Sequence, residues 1–178
     1  MTLYELSANT VHGLYKDRYA FRDSLTDVVV QHLTTQGRVR IHCREMIKKV
    51  AICKDRLAVQ LPDKIIIYEL ADQIENPETR HYKVKEKIFR KTDCSLLVVC
   101  SRHVVLCQER VLQCLTFAGV KEREWNLEAP IKYIKVTGGP PGREGLLVGL
   151  KSGQKLTICD KQLYGCTWLP IAQFKTAQ

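Results

Sequence analysis

One stretch decides the fold: Arg56-Leu57-Ala58-Val59-Gln60-Leu61-Pro62-Asp63-Lys64-Ile65-Ile66-Ile67-Tyr68-Glu69-Leu70. It consists of a short apolar segment, a polar turn and a second apolar segment, which is the pattern of a β-hairpin. The same pattern recurs without gaps in residues 95–109 and in residues 145–159. The recurrence predicts a repeated, all-β unit.

The segments around these hairpins predict further strands. Alternating segments precede the three copies at residues 48–54, 86–92 and 131–137, and residues 28–33 and 39–43 predict an earlier hairpin around Gly37. Residues 81–87 place three lysines on one face, as an exposed outer strand would.

Three or four strands per unit, repeated every 40–50 residues or so, are typical of β-propeller blades. We therefore expect a partial WD40-like β-propeller of about three antiparallel blades, the first and last incomplete. No Trp-Asp dipeptide is present, so the repeats are degenerate. A propeller ring needs roughly 4–8 blades, and we expect this ring not to be closed.

Composition supports a folded chain. The 178 residues are 45% hydrophobic and 26% charged, with a formal net charge of +9. This excludes wholesale disorder, and the length suits one domain or a piece of a larger one. Apolar runs such as residues 96–100 are far shorter than the roughly 20 residues that span a bilayer, and residues 1–19 lack a signal-peptide pattern. We expect a soluble, intracellular chain without a transmembrane segment.

The cysteines are expected to be reduced core thiols. None of them is spaced Cys-x-x-Cys, and most lie within apolar runs, where a free cysteine behaves as a small hydrophobe. A disulfide framework and a metal site are the weaker alternatives. The eight positions are Cys43, Cys53, Cys94, Cys100, Cys107, Cys114, Cys159 and Cys166.

Motifs for catalysis are weak. Residues 145–152 approach a phosphate-binding loop, but Leu150 interrupts the required Gly-Lys-Ser. His103 is interpreted as a solvated turn residue, and Glu122 lies in a charged connector around Trp125. The other histidines and acidic residues considered, none in a nucleophile–base pattern, are His12, His32, His42, His81, Glu124 and Glu128. We predict no catalytic, cofactor-binding or metal-binding residue, no cofactor and no enzyme activity.

Two basic clusters leave alternatives open. They could contact nucleic acid phosphates or an acidic protein or lipid surface, although solvated faces are the favoured interpretation and no nucleic-acid recognition motif is present. The first comprises Arg38, Arg40, Arg44, Lys48 and Lys49, and the second Arg80, Lys83, Lys85, Lys87, Arg90 and Lys91.

Several long segments carry a family resemblance. The stretch Val11-His12-Gly13-Leu14-Tyr15-Lys16-Asp17-Arg18-Tyr19-Ala20-Phe21-Arg22-Asp23 resembles the intraflagellar transport protein 122 family, WD-repeat subunits of intraflagellar transport complex A. The similarity continues in order to about residue 156, through residues 82–88, 96–100, 119–125, 133–136 and 138–151. It then fades.

The resemblance implies a domain organisation. Family members have two consecutive propellers followed by a helical-repeat tail. Residues 1–24 then correspond to the inter-propeller junction and residues 25–158 to the opening blades of a WD40-like propeller. Residues 159–178 form a divergent C-terminal tail. The chain is therefore expected to be a fragment.

The resemblance also implies a function. This is a non-catalytic scaffold that supports retrograde ciliary transport, cilium assembly and delivery of membrane proteins to cilia. Its expected location is the cilium, the ciliary basal body and the cytoplasm. Expected partners are the other complex A subunits and tubby-like cargo adaptors, with loops 72–80 and 120–129 as the contact surface. A basic nucleic-acid-binding β module is the alternative function.

Overall fold

The computed structural model describes residues 11–71, 81–159 and 162–166, and all of the regular secondary structure in these ranges is β. The strands are β1 (His12–Tyr15), β2 (Arg18–Arg22), β3 (Asp27–His32), β4 (Arg38–His42), β5 (Lys49–Cys53), β6 (Arg56–Gln60), β7 (Lys64–Ala71), β8 (His81–Phe89), β9 (Leu96–Val99), β10 (His103–Gln108), β11 (Val111–Thr116), β12 (Lys121–Asn126), β13 (Ile131–Gly138), β14 (Gly145–Leu150), β15 (Lys155–Cys159) and β16 (Gln162–Cys166).

The strands form four separate antiparallel sheets, each a meander of four consecutive strands. We number them blade 1 (β1–β4), blade 2 (β5–β8), blade 3 (β9–β12) and blade 4 (β13–β16). The first strand of each blade packs beside the first strand of the next, which is the arrangement of a propeller. The all-β prediction is confirmed, and no hydrogen-bonded ladder among the described strands closes the ring.

The expected blade count of about three is wrong, because four blades are present. Blade 1 is complete because β1 pairs with β2, and β2 pairs with β3. Their sequences, HGLY and RYAFR, contain glycine, arginine and tyrosine instead of an apolar run, so they carried little strand signal. Both strands lie within residues 1–24 and β16 lies within residues 159–178; the junction and tail assigned to these ranges stay predictions.

The second copy of the repeat is out of phase with the other two in the structure. The first and third copies are the middle hairpins β6–β7 and β14–β15, whereas the second copy is the inner hairpin β9–β10. Residues 86–89 accordingly end the outer strand β8 and do not begin a new blade. An apolar run does not indicate its place in a blade, because inner and middle strands are both buried on two faces.

Burial between blades explains the apolar runs. In β7, Ile66 and Tyr68 face the core between blades 1 and 2, whereas Ile65 and Ile67 face the core between blades 2 and 3. Neighbouring side chains on a strand point to opposite faces, so an uninterrupted apolar run fills two cores at once. A third core lies between blades 3 and 4 and includes Val148.

One buried polar side chain links blade 2 to the segment that leads into blade 3. Gln60 is 1% exposed. Its Nε2 donates to the backbone oxygen of Thr92 at 2.5 Å, and its Oε1 accepts a hydrogen bond from Cys94 Sγ at 3.0 Å. The Gln60 amide thereby provides hydrogen-bond partners for the Thr92 carbonyl and the Cys94 thiol, which the surrounding apolar side chains cannot provide.

We expect Gln60→Leu to destabilise the chain by about 1–3 kcal/mol, since it keeps the side-chain size but leaves the Thr92 carbonyl unsatisfied. The midpoint of urea unfolding measures this. Gln154→Leu, at an exposed position, is the matched control and should change stability by less than about 0.5 kcal/mol. Equal midpoints for the two variants would contradict the prediction.

Candidate functional site

The turns that join the first and second strands of the blades lie together at one edge of the sheets. Arg18 Nη2 of blade 1 lies 3.8 Å from Asp55 Oδ1 of blade 2. Lys54 Nζ of blade 2 lies 3.4 Å from Glu144 Oε1 of blade 4. The backbone N–H of Ser101, in blade 3, donates to the same Glu144 oxygen at 3.2 Å. These five residues form the inner-turn cluster, which connects all four blades.

Glu144 is the centre of the inner-turn cluster, with a side chain only 1% exposed. Its second oxygen accepts a hydrogen bond from the backbone N–H of Gly142 at 2.9 Å. Burial raises the pKa of Glu144, but hydrogen bonds from Ser101 and from nearby backbone N–H groups outweigh it, so the pKa is lowered from 4.5. The carboxylate is therefore ionised at neutral pH and holds three blades together.

Residues 138–145 are rich in glycine and proline, which predicts a surface loop. The structure instead places a buried carboxylate there, and the close approach of the loop backbone depends on glycine. A Cβ on Gly139, whose φ is +123°, would lie 2.8 Å from the backbone oxygen of Arg143. This is closer than ordinary contact and the backbone conformation itself favours glycine.

The outer edge of blade 2 is basic and exposed. The edge strand β8 carries Lys83, Lys85 and Lys87 at exposed positions, which confirms the prediction of an outer strand. Val84 is 51% exposed and Phe89 75% exposed. These five residues are called the β8 edge below. Lys85 Nζ lies 3.0 Å from Glu69 Oε2 on the neighbouring strand, and this hydrogen bond, against a smaller effect of burial, lowers the pKa of Glu69.

In the other basic cluster, the charge of Arg40 is compensated within blade 1. Arg40 pairs with Asp23 at 2.8 Å and with Asp27 at 3.2 Å. The ring of His42 also contacts Asp27, at 2.7 Å, and this hydrogen bond is the main reason that the pKa of Asp27 is lowered. Local acidic partners therefore reduce the charge that this cluster presents to another molecule.

The two loops expected to contact partners have different outcomes in the structure. Residues 72–80 lie outside the described residues. Residues 120–129 do not form a loop, because β12 (Lys121–Asn126) is the outer edge strand of blade 3. Only Trp125 in this strand packs against the core, which explains the charged sequence around one aromatic residue. Its role as a contact surface stays a prediction.

His103 is not the solvated turn residue that the sequence suggested. It begins β10, its side chain is only 13% exposed, and its Nε2 lies 3.0 Å from Glu122 Oε2 of β12. Together with Cys114 of β11, these residues bring three ligand atoms within 4.8 Å of one another. Sequence reasoning missed this cluster because its members come from three strands; the hairpin pairing of β10 with β11 was the one usable signal.

The cysteines are mostly core thiols, as predicted. Those with described side chains are buried except Cys159, which is exposed, and none of them forms a disulfide. Burial raises the pKa of both Cys53 and Cys94 to about 11, and it raises the pKa of Cys43, Cys100 and Cys107 as well. These five thiols are therefore protonated and weakly nucleophilic at neutral pH.

Comparison with known proteins identifies the family. The model of the IFT122 second beta-propeller matches residues 12–171. The chain belongs to this family. It is 61% identical to the human intraflagellar transport protein 122 homolog and 65% identical to the one from Xenopus tropicalis, each over 172 residues. Both alignments cover 97% of this chain and 14% of the relative.

Solved structures agree with the propeller fold of this IFT122-family chain. BBS1N, crystallised in complex with ARL6DN, matches with a TM-score of 0.60 at 16% identity, covering 87% of this chain and 52% of that one. BamB from Moraxella catarrhalis matches with a TM-score of 0.52 at 10% identity, covering 82% and 42%. At such identities the likeness shows the fold alone. Within the described part of the IFT122-family chain, no helix has the length and apolar character to cross a membrane.

The inner-turn cluster predicts an acid-dependent stability in this IFT122-family chain. Because the folded pKa of Glu144 is lowered, its contribution is complete above the ordinary value of 4.5 and is lost as pH falls through the folded value. Glu144→Gln should cost about 1.5–3 kcal/mol at neutral pH and should flatten the fall in stability below 4.5. Urea unfolding across this pH range measures both effects. Glu128→Gln, at an exposed position, controls for the charge change, and an equal loss in the two variants would count against the cluster.

Proposed function

We propose that this segment is a non-catalytic scaffold part of a subunit of intraflagellar transport complex A. The observation that carries the proposal is the 60–65% identity to intraflagellar transport protein 122 homologs across 89–97% of the chain. The proposed role includes retrograde ciliary transport, cilium assembly and delivery of membrane proteins to cilia. The proposed location is the cilium, its basal body and the cytoplasm.

The rigid edges of the blades would provide the contact surfaces. Within the described strands β8 has only one neighbour, so its outer side presents backbone groups that a partner strand could pair with. Lysines on such a strand prevent indiscriminate pairing, yet they also favour an acidic partner. Phe89, exposed beside them, adds the type of aromatic contact that is enriched at protein interfaces. We therefore assign the β8 edge to an acidic surface of another complex A subunit or of a tubby-like cargo adaptor.

Three of the five histidines hold strands or turns of a blade together, which is a structural use in keeping with the proposed non-catalytic role. His32, His42 and His103 each contact a carboxylate, of Asp17, Asp27 and Glu122 respectively. A general base needs a nucleophile or substrate within hydrogen-bond reach. In the part of the chain that the structure describes, each of these contacts joins strands or turns within one blade. The five cysteines whose pKa is raised are protonated at neutral pH.

The β8 edge can be tested in ciliated cells. Lys83→Glu, Lys85→Glu and Lys87→Glu together should reduce co-purification of complex A subunits with the tagged chain by about tenfold or more, since attraction to an acidic surface becomes repulsion. Quantitative mass spectrometry of the purified material measures the change.

Blade 4 offers a matched control at the same number of lysines. Lys132, Lys135 and Lys151 are also exposed, and their simultaneous replacement by glutamate gives the same change in net charge. This variant should retain the complex A subunits. If both triple variants lose them equally, the interaction depends on net charge and the assignment to the β8 edge is wrong. If the unmodified chain captures none, the scaffold proposal itself fails.

The exposed lysines of β8 also favour a second candidate function, binding to nucleic acid. In that case affinity for duplex or single-stranded RNA should fall steeply as the salt concentration rises. Replacement of the three lysines by glutamate should reduce the slope of log affinity against log salt concentration by up to about 2 to 3. Fluorescence anisotropy across a salt series measures the slope. Weak binding with a slope that the lysine variant leaves unchanged would exclude this function for the β8 edge.

A further inference from the structure

Three side chains of different chemistry meet at one end of blade 3. His103, Cys114 and Glu122 come from β10, β11 and β12, and their ligand atoms lie within 4.8 Å of one another. His103 Nε2 lies 3.0 Å from Glu122 Oε2. Imidazole, thiolate and carboxylate are the three protein ligands of zinc, bound at about 2.0–2.3 Å from the ion. Ligands around one tetrahedral ion therefore lie roughly 3.3–3.8 Å apart. This range falls between the 3.0 Å of the His103–Glu122 pair and the 4.8 Å within which all three ligand atoms lie.

The pairing of the strands explains how the cluster forms. Val105 lies opposite Cys114, so His103, two residues earlier on β10, lies on the same face as Cys114. Glu122 reaches this face because the register between β11 and β12 shifts between Cys114 and Leu115, where Arg123 pairs with Cys114 and Lys121 with Leu115. A β-bulge of this kind redirects a side chain, and bulges are common beside functional sites.

The surroundings suit a bound cation with an open position. A cavity of about 370 Å³ borders His103 and Glu122 and is also lined by Thr116, Arg102 and Arg143. It provides an entry path on the side of His103 and Glu122, and room there for a fourth ligand such as water. A divalent cation bound by one thiolate and one carboxylate carries no net charge, so the two arginines would not repel it strongly, and they would favour an anionic fourth ligand.

We propose that His103, Cys114 and Glu122 form a binding site for a divalent zinc-type cation, which joins the three outer strands of blade 3. The site goes beyond the scaffold function and does not depend on it. It departs from the expectation that this chain has no metal ligand, because that expectation rested on sequence spacing, and the three residues are adjacent only across the sheet.

Binding can be measured on the full 178-residue chain under reducing conditions. We expect one Zn²⁺ per chain by elemental analysis, and with Co²⁺ a thiolate charge-transfer band together with the intense visible bands of tetrahedral coordination. Cys114→Ala should abolish the charge-transfer band. Glu122→Gln should keep it but weaken affinity by at least the roughly 10–100-fold associated with altered ligand support, as read by competition with a chromophoric chelator. Affinity should also fall as pH is lowered, since the ligands must be deprotonated.

The control is Cys159→Ala, because Cys159 is the exposed thiol among the cysteines whose side chains the structure describes and is therefore open to adventitious binding. This variant should keep the full stoichiometry and the band. Since Cys114 is buried and its replacement can disturb the core, Glu122→Gln, at an exposed position, provides the test that does not depend on folding. Zn²⁺ should raise the melting temperature of the wild-type chain but not of Cys114→Ala. A band that survives in Cys114→Ala, a band lost in Cys159→Ala, or no binding by the wild-type chain would overturn the proposal.

Discussion

Burial of apolar side chains between successive blades is the constraint on which the rest of this structure depends. Blades 2 and 3 are covered on both faces, so each of their middle strands contributes alternate side chains to two different cores. A shift of one residue in the pairing of β7 would exchange Ile66 with Ile67 between those cores, and register is therefore tightly fixed. Because register is fixed, the turns at the end of each hairpin have fixed positions as well. The inner-turn cluster exists only because four such turns reach the same edge.

Polar groups inside this array have a different role from the apolar cores. Gln60 and Glu144 each contact a blade or connecting segment other than their own, and each is almost fully buried. A buried polar group adds little net free energy when it is satisfied, but it penalises every arrangement that leaves it unsatisfied. The two residues therefore select one relative position of the blades from the many that apolar packing would tolerate. Such rigidity suits the proposed scaffold role, in which separate blades would carry the contact surfaces.

The local elements of this fold were predictable from sequence, whereas their assembly was less so. The hairpins around residues 61–63 and 151–154 follow from apolar runs that flank polar turns, and the exposed outer strand follows from the lysines of β8. The place of each strand within its blade could not be predicted from sequence. Leu96–Val99 and Arg56–Gln60 have similar patterns, although the first is an inner strand and the second a middle strand. The first blade was expected to be incomplete because β1 and β2, which lie in the range assigned to the junction, contain few β-branched residues.

The contacts between side chains of the His103–Cys114–Glu122 cluster were even harder to predict from sequence than the order of the strands. His103 and Glu122 were interpreted separately, one as a turn residue and the other as part of a solvated connector. Their contact depends on the register shift opposite Cys114, and nothing in the local sequence marks that bulge. The burial of Glu144 could not be predicted for a related reason. A glycine- and proline-rich segment predicts a loop, but it does not predict which side chains the loop buries.

The face of blade 1 that points away from blade 2 is partly covered by aromatic side chains of blade 1 itself. Tyr19 and Phe21 stack with their ring centroids 5.3 Å apart on the side of blade 1 that faces away from blade 2. Phe21 lies directly opposite Val29 in the β2–β3 pairing, and Val29 is only 4% exposed. Cross-strand aromatic cover thus supplies part of the burial that a neighbouring blade supplies elsewhere. Leu14 remains 60% exposed on that side, so the cover is partial, and the two blades with a neighbour on each face, 2 and 3, form the more completely buried part of the array.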